Sequence, residues 1–347
     1  MIEVKDLTLP RSSSKQRVTR FWKALSSRRV STSWLLALLI VALLPVAAQE
    51  NVISASQAPG SVASGPAGSV VKPQSPQHGS VVLAYWYGPD YRTPFVMNPN
   101  TGKAASIARN SIEFTSVASW GVLTNFTDVM VNLSNLAEPA NGGGTGATEA
   151  YVILRPAIDL NELFHSDTFN KGPLRDVTFE MGANLETKNS SYAPSEKTLY
   201  IGPKLVFAMP KGFLNVGLHF RKEWNHEGVL GKSESYEPNF NLEPTWLLPF
   251  KFGKARFAFS GFADYNTPKG KDSFGSETVS EFLVRTVVAV DIGSFLFRKP
   301  QLLDVSGGLW YWHNEYGKPS SDPGAEQLTP LIGMNFRLDG AWSRRNQ

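Results

Sequence analysis

Residues Gly212 to Gly228 read GFLNVGLHFRKEWNHEG. In an extended chain successive side chains point to opposite faces. Leu214, Val216, Leu218 and Phe220 therefore share one side, and Asn215, Gly217, His219, Arg221 and Glu223 share the other. One side is wholly apolar and the other is ionisable or small. Two kinds of protein contain such a segment. A water-soluble sandwich buries the apolar side against a second sheet, whereas a membrane barrel turns it out to lipid and encloses the charges. The alternation alone leaves both open.

The pattern recurs along the chain in segments closed by Gly, Pro, Asn, Asp or Ser. Twelve strands are predicted: Val81 to Tyr87, Asn110 to Ala118, Leu123 to Leu133, Glu149 to Leu160, Val177 to Thr187, Thr198 to Met209, Phe213 to Trp224, Pro238 to Leu248, Ala255 to Tyr265, Glu281 to Ile292, Leu303 to His313 and Thr329 to Leu338. Within them, Val177, Phe179, Met181, Ala183 and Leu185 oppose Thr178, Glu180, Gly182, Asn184 and Glu186. Phe282, Val284, Val288, Val290 and Ile292, with a single Thr286, oppose Glu281, Arg285, Ala289 and Asp291 with Leu283 and Val287; Ile332, Met334, Phe336 and Leu338 oppose Gly333, Asn335 and Arg337. Most segments exceed the five or six residues usual in soluble sheets and approach the nine to eleven that a tilted strand needs to cross a bilayer.

Three further features favour the barrel. Aromatic residues gather near segment ends, as in Tyr85-Trp86-Tyr87, Trp120, Trp224, Trp246 and Trp310-Tyr311-Trp312, which suits girdles at two membrane interfaces. Short connections, at Pro210-Lys211-Gly212 and around Gly253, alternate with long polar ones at 138–148, 225–236, 266–279 and 314–327. A closed barrel also pairs every backbone group within lipid, which an open sheet does not. The predicted fold is all-β, a transmembrane antiparallel β-barrel of about twelve strands over residues 80–338, in the outer membrane of a bacterial cell.

The chain has 347 residues, 18% of them charged, 12% aromatic, and no cysteine. The missing cysteines exclude disulfides, thiol nucleophiles and cysteine-based metal sites. Residues 1–48 carry eight Lys or Arg against Glu3 and Asp6, and end in an apolar run from Trp34 to Leu44 followed by Val46-Ala47-Ala48. That is the pattern of a signal peptide cut after Ala48, with Arg28-Arg29 admitting a twin-arginine route; the run falls short of the roughly twenty residues of a membrane anchor. Without this segment 26 basic and 28 acidic residues remain, so the basic pI of the whole chain makes no case for nucleic acid. Residues 49–79, rich in Ser, Ala, Gly, Pro and Gln with no aromatic, read as a disordered lead-in. Residues 339–347 form a tail beyond the last strand.

Several stretches carry a family likeness. NSIEFTSVASWGVLTNFTDVMVNL, with Glu113, Trp120 and Asp128, and EAYVILRPAIDLNELF, with the Arg155-Pro156 break and Asp159-Leu160, are followed in order by VGLHFRKEWNHEG, YEPNFNLEPTWLLPF, FSGFADYN and GGLWYWHNEYG. Together they resemble the Tsx-like nucleoside-specific channel-forming outer-membrane proteins over residues 80–338. The resemblance implies a twelve-stranded monomeric barrel with a narrow lumen, passive nucleoside passage between rings and ionisable groups, and insertion by the barrel assembly machinery. It places Glu113, Asp128, Arg221 and Trp312-His313 on motif positions. The final strand departs from the terminal aromatic common in such barrels, because IGMNFRL continues into DGAWSRRNQ.

The predicted lumen-lining set is Glu113, Asp128, Glu180, Lys204, His219, Arg221, Glu223, Glu243, Asp264, Arg285, Asp291, Trp310 and Trp312, with Tyr85 as a further stacking ring. Enclosed charges need partners or water, so they form either a structural salt-bridge network or hydrogen-bonding stations for a polar solute. His219 beside Arg221 and Glu223 has the elements of a general base and its orienter, but no serine accompanies it. NGGGTGA at 141–147 is not followed by a lysine and a helix as a phosphate loop would be. The expected protein is thus no enzyme, with no cofactor or metal, whose partners are a small solute and outer-membrane lipid. The alternatives are a channel for another small solute, a secreted soluble β-sandwich binding module, and a barrel-embedded lipid hydrolase.

Overall fold

The computed structural model describes residues 79–192 and 195–338. The expected signal peptide, the lead-in apart from Gly79, and the tail at 339–347 lie outside the described residues. The strands are β1 (Ser80–Tyr91), β2 (Ile107–Trp120), β3 (Leu123–Ser134), β4 (Thr148–Asp159), β5 (Leu174–Lys188), β6 (Ser195–Phe207), β7 (Phe213–Glu227), the short β8 (Lys232–Ser235), β9 (Asn239–Phe252), β10 (Ala255–Asn266), β11 (Glu281–Asp291), β12 (Leu303–His313) and β13 (Glu326–Arg337). Each pairs antiparallel with its chain neighbour. The circle closes where β1 meets β13, from Val82 opposite Arg337 to Tyr87 opposite Ile332. β7 pairs with β9 over Phe213 to Arg221, and its last residues, Trp224 to Glu227, fold back on β8. The result is a closed barrel of twelve strands with one hairpin extension.

The alternation read in the sequence becomes the two faces of this wall. Along β5, Asp176, Thr178, Glu180, Asn184, Glu186 and Lys188 are buried, while Phe179, Met181 and Leu185 are exposed. Along β7, His219, Arg221 and Glu223 are buried while Leu218 and Phe220 are exposed. The exposed side of the other strands adds Leu199, Ile201, Phe240, Leu242, Val288, Leu309, Ile332 and Met334. A continuous apolar belt of this extent is foreign to a soluble monomer's surface and matches what hydrocarbon requires. A soluble sandwich is therefore overturned: it would have packed Phe220 and Val288 inside, yet each is 46% exposed while Arg221 and Glu223 are enclosed.

Several expectations need correction. Tyr85 points outward, opposite Met334, with its hydroxyl donating to Asn110 Oδ1 at 2.6 Å; its neighbour Trp86 is the enclosed ring. Trp310 and Trp312 sit on the inward face of β12, opposite Thr329 and Gln327, so they cannot belong to a girdle, whereas Trp120 and Trp224 are exposed. His313, one step beyond Trp312, faces outward. β8 escaped the periodicity because KSES has no apolar residue to alternate. Strand ends also run further than predicted: β2 starts at Ile107 and β13 at Glu326.

Connections divide between the two ends of the barrel. At the end where β1 begins and β13 stops, Gly121-Val122, 208–212 and 253–254 are tight turns, but 160–173 and 292–302 are longer and each holds a short helix, α1 (Leu160–Phe164) and α2 (Gly293–Leu296). At the opposite, loop end, six connections gather, including a 3₁₀ turn at Glu315–Gly317. Phe336 lies outward near the end of β13, exposed, so the last strand carries an aromatic at its membrane-facing edge although the chain continues past it.

Met181 stands at the middle of β5 on the exposed face. Met181→Arg is expected to lower barrel stability by about 2–4 kcal/mol in a bilayer, read by reversible unfolding in lipid vesicles. An unaffected midpoint would show that this face does not contact hydrocarbon.

Candidate functional site

Because inward positions alternate strictly on twelve strands, the ionisable residues converge on the barrel interior and must be matched there. Two contacts span it. Arg285 of β11 grips Glu113 of β2 with both guanidinium arms, Nη1 to Oε1 at 2.9 Å and Nη2 to Oε2 at 2.8 Å. Three strands separate these partners along the wall. A bidentate pair of this kind is charge-assisted and geometrically selective. Arg285 also lies over the Trp86 ring at 4.3 Å, a cation–π contact, and Asp128 accepts from Thr115 Oγ1 at 2.8 Å one row away.

The second crossing centres on Arg155 of β4. Its Nη2 donates to Glu243 Oε2 of β9 at 3.2 Å, its Nη1 to Asn184 Oδ1 at 2.8 Å, and its Nε lies 3.4 Å from Glu180 Oε1. The guanidinium stacks on Tyr200 at 4.3 Å. Glu180 is shared further, by Lys204 and by His219 Nε2 at 3.3 Å. His219 Nδ1 in turn meets Asn241 Oδ1 at 2.9 Å, and Asn241 Nδ2 donates to Asp264 Oδ1 at 2.5 Å and Asn266 Oδ1 at 2.9 Å. His219 Nδ1 is thus engaged by Asn241, while Nε2 is set against Glu180 with no hydrogen-bond partner among the described residues.

Toward the loop end the barrel is filled partly from its own loops. Lys269, from the β10–β11 connection, reaches Glu223 Oε1 at 2.5 Å and lies over Tyr236 at 4.5 Å; Arg221 binds the other carboxylate oxygen. On the opposite flank Glu138, from the β3–β4 connection, takes Arg109 Nη2 at 3.3 Å, Lys188, Ser134 Oγ at 2.5 Å and Thr93 Oγ1 at 3.2 Å. Burial would raise the Glu138 carboxyl, yet Lys188 and Arg109 hold it down at about 2. Lys318 and two backbone N–H groups likewise depress the loop residue Asp272 against the effect of burial, whereas burial raises Glu315, which accepts from Gln327 Nε2 at 2.6 Å.

Glu113, Asp128, Glu180, Lys204, His219, Arg221, Glu223, Glu243, Asp264 and Arg285 all lie on the inward face and join these networks. Asp291 is inward too but stands at the far end of β11, where both its oxygens are taken by Ser294, N at 3.0 Å and Oγ at 2.6 Å, at the start of α2. It anchors a turn and joins no crossing. Trp310 packs edge-on against Tyr91, Phe262 and Trp312, and Trp312 against Tyr316. The indole N–H groups of Trp310 and Trp312 are buried with no hydrogen-bond partner among the described residues.

Sequence reasoning missed Arg155 as the hub, reading Arg155-Pro156 as a break. The signal was present: Glu149, Tyr151, Arg155 and Asp159 share one face of β4, and the pairing with β5 skips only Arg155 and Pro156. Glu138, Lys269 and Lys318 were out of reach, because loops follow no period.

No family model matches the chain, and no curated protein matches it. Solved structures with a similar fold include the NanC porin, at 13% identity, covering 74% of this chain and 100% of that one with a TM-score of 0.42. The translocator domain of the autotransporter NalP from Neisseria meningitidis shares 13% identity over 78% and 91%, TM-score 0.39. An outer membrane channel from Pseudomonas putida F1 shares 10% over 77% and 100%, TM-score 0.44.

Removing one partner from a buried ion network leaves the others uncompensated. Arg155→Gln is expected to cost about 3–5 kcal/mol in denaturant unfolding of the refolded barrel, whereas Arg92→Gln, whose side chain is 43% exposed and forms a surface ion pair with Asp90, should change little; equal effects would deny Arg155 its central place. Glu138, depressed when folded, contributes stability that is complete above its unfolded value of about 4.5 and is lost as pH falls toward about 2. Glu138→Gln should flatten that acid limb in melts between pH 5 and 2.

Proposed function

We propose that this protein is a channel of the bacterial outer membrane, admitting small polar solutes with a planar part, nucleosides among them, by passive diffusion. The observation that carries this reading is the wall itself: an apolar belt outside, and inside two ion-pair crossings, Glu113 to Arg285 and Arg155 to Glu243, flanked by the rings of Trp86, Trp310 and Trp312. Flux needs attraction strong enough to draw a solute in and weak enough to release it. Ring faces offer stacking to a planar group. Unmet indole N–H donors on Trp310 and Trp312 and half-buried carboxylates such as Glu243 offer hydrogen bonds to hydroxyls. The resemblance of its strand motifs to the nucleoside-specific channels points the same way. In this reading the barrel acts as a monomer inserted by the barrel assembly machinery and carries out no catalysis, His219 being bonded to Asn241 and set against Glu180 as part of the wall.

The second reading keeps the channel and changes the permeant to another small solute. Reconstitution in planar bilayers with radiolabelled uptake separates them. Nucleosides should block current and compete for uptake more strongly than sugars of similar size. Glu113→Gln combined with Arg285→Gln, which removes one crossing without stranding a charge, should raise single-channel conductance and weaken the block. Absence of both conductance and nucleoside-inhibitable uptake would end the channel reading.

A further inference from the structure

At the loop end a small cavity lies among Glu186 of β5, Glu196 of β6, Asn225 of β7 and the rings of Tyr192, Tyr236 and Tyr316. Glu186 and Glu196 are direct cross-strand partners, an arrangement in which like charges repel. Glu196 has some relief, from Thr198 Oγ1 at 2.8 Å and from Arg221 Nη2 at 3.9 Å. Glu186 forms no ion pair among the described residues, the nearby cations Lys188 and Arg109 being bound to Glu138 and Glu149; it is only 7% exposed, and its Oε1 has no hydrogen-bond partner among the described residues. Asn225 gives its amide N–H to Glu223 Oε1 at 2.7 Å, and its Oδ1 is likewise buried and unmet. Lys318, the lysine that borders the cavity, is bound by Asp272 and set against Phe95 and Phe274.

Both unmet atoms are acceptors, and burying an acceptor without a donor is costly, a carboxylate most of all. The complementary ligand carries several N–H donors and a positive charge, and aromatic walls favour the same charge through their ring faces. The cavity measures about 30 Å³, where one water needs roughly 10–15 Å³, so it takes a head group and not a whole solute. We propose that this cavity binds the ammonium group of a small organic amine arriving from the loop end. As a guide to what the channel passes, this rests on the channel reading and narrows the solutes to those bearing an amine; as a binding site it does not.

The test uses the full chain in detergent, with its fold checked by the shift in gel mobility on heating, titrated calorimetrically with ethylammonium, acetate and ethanol. Ethylammonium should bind, and acetate and ethanol should not. Glu186→Gln should weaken ethylammonium at least tenfold, and Glu186→Lys, whose own ammonium fills the cavity, should abolish binding while the barrel stays folded. Glu277→Gln, an exposed loop carboxylate paired with Lys271, should leave binding unchanged. Equal binding of acetate or ethanol, or full ethylammonium binding by folded Glu186→Gln, would overturn the proposal. Conductance in bilayers is read separately. Ethylammonium binding without conductance would uphold this site and remove the channel; conductance without ethylammonium binding would do the reverse.

Discussion

The governing constraint is that a closed ladder of strands has only two faces, and one of them must be acceptable to hydrocarbon. Side chains alternate with a period of two, so clearing charge from the outside of β5 or β7 concentrates it inside. Glu180, His219, Arg221 and Glu223 are neighbours for that reason before any solute is considered. Once enclosed, each has to be neutralised or hydrated, and the two crossings, with their amide and hydroxyl satellites, are how the interior achieves it. The ordered polar interior is thus a by-product of satisfying a folding requirement.

Space for these networks comes from what is missing on the same face. A Cβ on Gly333 would stand 2.3 Å from the Trp86 indole, and one on Gly217 2.3 Å from the His219 imidazole. Gly333 is the residue of β13 opposite Trp86, and Gly217 precedes His219 by two on the same face of β7, so each large group occupies space left by a missing side chain beside it. Trp86 can then lie under the Arg285 guanidinium, and His219 can reach both Asn241 and Glu180. The bare positions are as much part of the lumen's shape as the charges are.

The barrel was legible in the sequence because its physics is local and repetitive. Each of the twelve strands announces itself by alternation, and ten of the ionisable side chains expected to line the lumen took part in its networks. What stayed hidden depends on register or on loops. Tyr85 and Trp86 are adjacent in sequence and reverse roles with a one-residue change of phase, which a run of three aromatic residues cannot disclose. Asp291 has the right phase but the wrong height, at the rim where it ties down Ser294 in the turn after β11. Glu138, Lys269 and Lys318 come from connections whose course is set only after the barrel exists, so their partners on β5, β7 and in other loops cannot be inferred from spacing.

Lys269 descends from the β10–β11 connection to meet Glu223, fully buried on the wall of β7. Connections between strands are ordinarily free to vary in sequence. Here such drift would strip a counter-charge from the interior, so residue 269 and the strand it serves must change in concert, and a ligand seizing this connection from outside would alter the electrostatics of the passage without ever entering it.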